Sequence, residues 1–136
     1  MSHSPWIHTM QRCAALVAAA LAFSAGPSAA QLQRQFPATA LRGVLVVTQP
    51  PEALMNGTAV RLAPGARIRG TDNLLQLSAT LVGQKLPVHY TRDGYGNLLD
   101  VWILTPGEGA KQPWPTTPEQ AAAWTFDADA QTWSRP

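Results

Sequence analysis

From Leu41 onward the chain alternates short apolar runs with clusters of turn-forming residues. The runs are Gly43 to Thr48, Ala59 to Leu62, Ala66 to Ile68, Leu74 to Val82, Leu86 to Thr91 and Leu98 to Thr105. The breaks fall at Gln49-Pro50-Pro51, Asn56-Gly57, Pro64-Gly65, Asp72-Asn73, Gly83-Gln84 and Asp93-Gly94-Tyr95-Gly96. Runs of this length, rich in β-branched residues and punctuated by Gly, Pro, Asn and Asp, predict an all-β fold: a small five- to six-stranded antiparallel barrel or sandwich over residues 41–106.

Two register arguments refine this. A four-residue loop at 93–96 sets Arg92 against Asn97 and places Tyr90/Leu99, Val88/Val101 and Leu86/Ile103 on one wholly apolar face. The opposite face then pairs Thr91 with Leu98, His89 with Asp100 and Pro87 with Trp102. Pro87 cannot donate to a ladder, so its strand should be an edge or lack a partner on that side. A three-residue turn at Pro64-Gly65-Ala66 pairs Leu62 with Ile68 and Val60 with Gly70 inward, leaving Arg61 opposite Arg69 and Ala63 opposite Arg67 on the wet face. Like charges directly opposed are mildly destabilising, so that arrangement asks for an anion or an acidic side chain between them.

Outside the strand region the pattern changes. Residues 1–30 have the three-part form of a secretory signal peptide: Arg12, then the ten-residue apolar run Ala14 to Phe23, a Gly26-Pro27 break and the small triplet Ser28-Ala29-Ala30. Ten residues are too few to span a bilayer, which needs about 20 as a helix, so no transmembrane anchor is expected. Residues 31–40 read as a linker. Residues 107–136, rich in Pro and Ala, form a tail that is either docked or disordered; Thr117-Pro118-Glu119 has the composition of a helix start reaching to about Trp124. A strand region of this size is near the lower limit of independent stability. Either Trp114, Trp124, Phe126 and Trp133 of the tail complete it, or a second subunit does.

Composition narrows the chemistry. The single cysteine, Cys13, lies in the leader, so cleavage leaves no disulfide although the compartment would permit one. After residue 30 the basic side chains exceed the acidic ones by one, with residues 41–106 slightly basic and 107–136 slightly acidic. His89 is the sole histidine after the leader, and beside Asp100 it would supply two thirds of a nucleophilic triad, but no hydroxyl carries a recognisable motif. Scattered acids and one histidine do not make a zinc site. Gly94-Tyr95-Gly96 lacks the third glycine and the following helix of a dinucleotide fingerprint. Asn56-Gly57-Thr58 matches a glycosylation sequon, though Asn-Gly is also a tight-turn pair.

The sequence therefore predicts a non-enzymatic barrel without cofactor or metal, periplasmic or secreted from a bacterium, acting as a binding or assembly accessory of the cell envelope. Arg61, Arg67 and Arg69, with Trp102 as aromatic anchor, are the candidate contacts for an acidic envelope component or envelope protein. Nucleic acid is a poor fit, because a basic groove with several stacking aromatics is missing. Trp102, Leu98 and Leu104 form either a covered face or an exposed patch, and coverage is the favoured expectation. The alternatives are a structural protein that oligomerises through its β-edge or tail, and a small hydrolase using His89 and Asp100.

Overall fold

A computed structural model describes residues 33–136. The expected leader, its cleavage point and Cys13 lie outside the described residues. The element order is β1 (Leu41–Gln49), β2 (Glu52–Met55), β3 (Thr58–Arg69), β4 (Leu75–Gln76), a 3₁₀ turn (Ser78–Leu81), β5 (Leu86–Arg92), β6 (Leu98–Ile103), α1 (Pro106–Gly109), α2 (Pro118–Ala123), β7 (Thr125–Asp127) and β8 (Thr132–Ser134).

Five strands close into a ring. β1 pairs with β2 and with β5, β5 with β6, and β2 with β3, all antiparallel. The ring shuts where β3 meets β6 in parallel, and β4 adds a short sixth strand to β3. The all-β barrel expected from strand spacing is the fold, with one parallel seam that spacing alone does not specify.

Alternation fills the barrel. Along β1, Leu41, Gly43, Leu45 and Val47 point inward while Arg42, Val44, Val46 and Thr48 are more exposed. They meet Met55, Leu62, Ile68, Leu86, Val88, Tyr90, Leu98 and Val101 in one continuous core. Gly43 is required by close packing: a Cβ there would lie 2.6 Å from the Met55 sulfur. Asn56 and Gly57 both take positive φ (53° and 80°), so the β2–β3 connection is the two-residue turn that Asn-Gly favours.

Several local expectations are corrected. Pro64-Gly65 is not a hairpin turn; it lies within the single twelve-residue strand β3, at the interruption of the β6 ladder between Leu62 and Arg67. Pro64 needs no ladder partner at such an irregularity, and the bulge there bends β3 from its pairing with β2 to its pairing with β4. The run 74–82 contributes only two strand residues before the 3₁₀ turn, while the short β2 forms outside the apolar runs of the sequence. The β5–β6 register also differs: Arg92 faces Leu98, Tyr90 faces Val101, His89 faces Trp102 and Val88 faces Ile103, with an irregularity between Tyr90 and Arg92. Pro87 lies opposite Val44 of β1, so β5 is an interior strand of the ring, not an edge.

A second layer covers the outside of β5 and β6. Phe36, Ala40, Leu104, Trp114 and Trp133 form a separate buried cluster, with Trp102, Trp124 and Phe126 packed against it. Residues 33–40, expected to be a linker, contribute the buried Arg34, Phe36 and Ala40. In the tail, Trp114 donates its indole N–H to the Ala40 carbonyl at 3.0 Å, and Gln131 accepts from the Phe36 amide at 2.8 Å. α2 starts where the sequence places it, with Thr117 capping the Gln120 amide and Pro118 in the first turn.

Candidate functional site

Strand register decides which polar residues meet. Across β1, β5, β6 and β3, the paired positions Arg42, His89, Trp102 and Arg69 form one row on the outer face of the barrel. The neighbouring register position pairs Asp100 with Arg67. Because alternate residues of a strand share a face, Arg67 and Arg69 stand side by side, as do Asp100 and Trp102.

The two arginines converge on one carboxylate. Asp100 Oδ1 accepts from Arg67 Nε at 3.0 Å and from Arg69 Nη1 at 3.5 Å, and its Oδ2 lies 3.5 Å from the Thr91 hydroxyl. Each guanidinium carries five N–H donors. Among the described residues, Asp100 is the only side-chain or carbonyl partner either one has. The cluster therefore keeps an unbalanced positive charge and several unspent donors. It borders a hollow of about 550 Å³ that is also lined by Trp102, Asn73 and the N-terminal Gln33 and Gln35. The Arg67 side chain is 55% exposed and Arg69 26%, so both remain open to a ligand. Trp102 is partly buried and braced edge-on by Phe36 at 5.5 Å.

Arg61 does not belong to this group. It lies eight positions before Arg69 on the same strand, on the other side of the Pro64-Gly65 irregularity and paired with β2 rather than β6. Its cross-strand partner is Glu52, at 3.5 Å, and both side chains are largely exposed. The acidic neighbours that opposed arginines call for are thus present, but they are different acids at two ends of β3. Leu98 is fully buried in the barrel and Leu104 in the second cluster, so no exposed Leu98-Trp102-Leu104 patch exists.

Arg34 closes the inner wall of the hollow, and sequence reasoning gave no hint of it. Its guanidinium donates to Glu108 Oε2 at 2.9 Å, to the Gly70 carbonyl at 2.8 Å and to the Ile103 carbonyl at 2.7 Å. Glu108 also accepts the Thr105 amide at 2.9 Å in a capping box that starts α1. Burial opposes the charge on Glu108, but the hydrogen bonds from Arg34 and the Thr105 backbone outweigh it and hold the carboxyl below the usual range. The signal for Arg34 would have been Phe36, a large apolar residue in an otherwise polar stretch.

His89 is not paired with Asp100. It is 1% exposed, stacked on Trp114 at 4.0 Å and edge-on to Phe36 at 4.4 Å. Nε2 accepts from Arg42 Nε at 3.2 Å, while Nδ1 has no partner among the described residues. Burial above all, then the charges of Arg42 and Arg34, push its pKa down to about 2. Arg42 in turn donates to the carbonyls of Glu108, Gly109 and Lys111, at 2.9, 3.2 and 2.8 Å, tying the tail to β1. Among the described residues no hydroxyl or thiol hydrogen-bonds to His89, which packs between Trp114 and Phe36.

Among the described residues no group of three or more His, Cys, Asp or Glu side chains converges as a metal would need, and no helix is long and apolar enough to cross a membrane. No protein-family model, curated protein or solved structure matches this chain.

Proposed function

We propose that the protein is an exported, non-enzymatic binding module of the bacterial cell envelope, and that Arg67, Arg69 and Trp102 hold an acidic envelope component. The observation that carries this reading is the sharing of Asp100 by two guanidinium groups that line an open hollow and keep donors unspent among the described residues. Arginine's planar fork suits carboxylate and phosphate groups, and a partly desolvated pair strengthens that preference. Export rests on the apolar run Ala14 to Phe23 and the small triplet at 28–30. Five-stranded Greek-key barrels serve elsewhere as platforms for oligonucleotides and oligosaccharides, which supports a binding role by analogy of fold alone.

Two experiments test it. Residues 1–40 fused to a reporter that is active only after disulfide formation should give activity outside the cytoplasm; a silent fusion made in normal amounts refutes export. Purified protein should be retained by isolated envelope fragments in a salt-sensitive manner. The Arg67→Gln/Arg69→Gln variant should lose that retention and Arg61→Gln should keep it. Equal retention of all three refutes the assignment.

A second reading, a structural protein that associates through its β-edge, is favoured by one observation. The outer strand β4 and its flanks expose Leu74 (64%), Leu75 (67%) and Leu77 (75%). Light scattering on wild type and Leu75→Lys separates the readings: a dimer that the substitution dissolves supports edge pairing.

A further inference from the structure

Resting on the anion-binding role proposed above, we infer that the hollow is built for a carboxylated sugar unit, whose carboxylate enters the Arg67/Arg69 fork while its ring lies against Trp102. Cations alone would satisfy an inorganic anion, but this hollow offers more. Its rim carries three amide side chains, Gln33, Gln35 and Asn73, none of which makes a side-chain hydrogen bond among the described residues. An amide both donates and accepts, which matches the hydroxyl groups of a saccharide and has no counterpart on a simple anion. Trp102 supplies the apolar wall that a sugar's C–H face needs, and Phe36 holds it in place. An apolar acid fits poorly, because Trp102 and Pro37 are the main nonpolar elements of the lining. At about 550 Å³ the space lies within the range of small-ligand sites.

Asp100 has a defined part in this arrangement. It occupies one donor of each arginine and cancels one of their two charges. It therefore holds the two guanidinium groups together and competes with the incoming carboxylate for them. Removing its charge should tighten binding, a direction that a merely structural acid would not give.

Isothermal titration on the full chain tests the inference with three probes: the unbranched disaccharide of galacturonic acid, its methyl ester, and inorganic phosphate. The free acid should bind, the ester at least ten-fold more weakly and phosphate more weakly still. Arg67→Gln should lower affinity for the acid about ten-fold. Asp100→Asn should raise it several-fold, provided thermal melting confirms an intact fold. Gln35→Ala, at an exposed position, should weaken the sugar acid and leave phosphate unchanged. Phosphate binding as tightly as the sugar acid, with no effect of Gln35→Ala, would overturn the saccharide inference and leave the anion-binding role standing. Binding of no probe by folded protein would overturn both. Weaker binding by folded Asp100→Asn would overturn the competing role of that carboxylate.

Discussion

The neutral state of His89 makes the stability of this protein depend on pH in a calculable way. In the unfolded chain the imidazole titrates near 6.5, whereas in the fold burial and the charges of Arg42 and Arg34 push it to about 2. The folded value is the lower one, so between the two the unfolded chain binds more protons. Stability is thus complete above about pH 6.5 and is lost progressively as pH falls toward 2. Each unit of difference is worth about 1.4 kcal/mol, so acidification from pH 7 to 4.5 should remove about 2.5 kcal/mol. That is a large share of the roughly 5–15 kcal/mol of a typical domain. The assay is urea unfolding at several pH values across this window, on wild type and His89→Gln. Glutamine can still accept from Arg42 but cannot titrate. It loses the stack on Trp114, so the variant should be less stable at pH 7 and show a much flatter pH slope. Glu108, whose folded pKa is also lowered, stabilises above its unfolded value and loses that contribution as pH falls through the folded one; it acts equally on both proteins and cancels in the comparison. If His89→Gln does not fold, the histidine resonances of the wild type carry the test, and those of His89 should not titrate between pH 8 and 4. Equal slopes in the two proteins, or an imidazole titrating near pH 6, would refute the assignment of His89 as a buried neutral group.

Other substitutions probe the two layers separately. Arg34→Ala leaves the largely buried Glu108 carboxylate without its cation and should cost about 3–5 kcal/mol by urea midpoint; the double variant Arg34→Met/Glu108→Leu should recover only part of it, because the Gly70 and Ile103 carbonyls and the Thr105 amide stay unpaired, whereas a single-variant loss below about 1 kcal/mol would mean the pair is solvated. Gly43→Ala should destabilise by about 1–3 kcal/mol, because the new methyl meets the Met55 sulfur at 2.6 Å on the inward face, and a neutral result would show that Met55 can move aside. Leu45→Ala, at a fully buried position, should cost about 2–5 kcal/mol, while Leu77→Ala, at a site 75% exposed, should change stability by less than about 0.5 kcal/mol; comparable losses at both would place Leu77 in an interface.

The barrel was legible because its inner face follows a period of two: Leu41, Gly43, Leu45 and Val47 can be read inward without any structure. Its closure was not, because the parallel β3–β6 seam depends on a long strand bending at Pro64-Gly65, and that dipeptide has the chemistry of a turn as much as of a bulge. Reading that dipeptide as a turn rather than a bulge changes which arginines meet. A hairpin over residues 58–69 would bring Arg61 back onto Arg69, whereas the continuous strand sends Arg61 to Glu52 and leaves Arg67 with Arg69. The position of His89 has a similar origin. A loop longer than expected and a ladder irregularity between Tyr90 and Arg92 turned an inferred His89–Asp100 pair into His89 opposite Trp102. The second core was visible only as unexplained aromatics, since Phe36, Trp114 and Trp133 come from segments with no periodicity to place them.

The observed register shapes the site in one direction. Moving His89 away from Asp100 leaves that carboxylate free to serve the two arginines, and covering His89 with Trp114 and Phe36 fixes Trp102 at the edge of the hollow. The N-terminal segment that seals this layer also brings Gln33 and Gln35 to the rim, through the anchor of Arg34 on Gly70, Ile103 and Glu108. Anything that loosens Arg34 should therefore disturb the hollow as well as the fold. The stretch lacking strand periodicity builds one wall of the site, and the strands supply its charge.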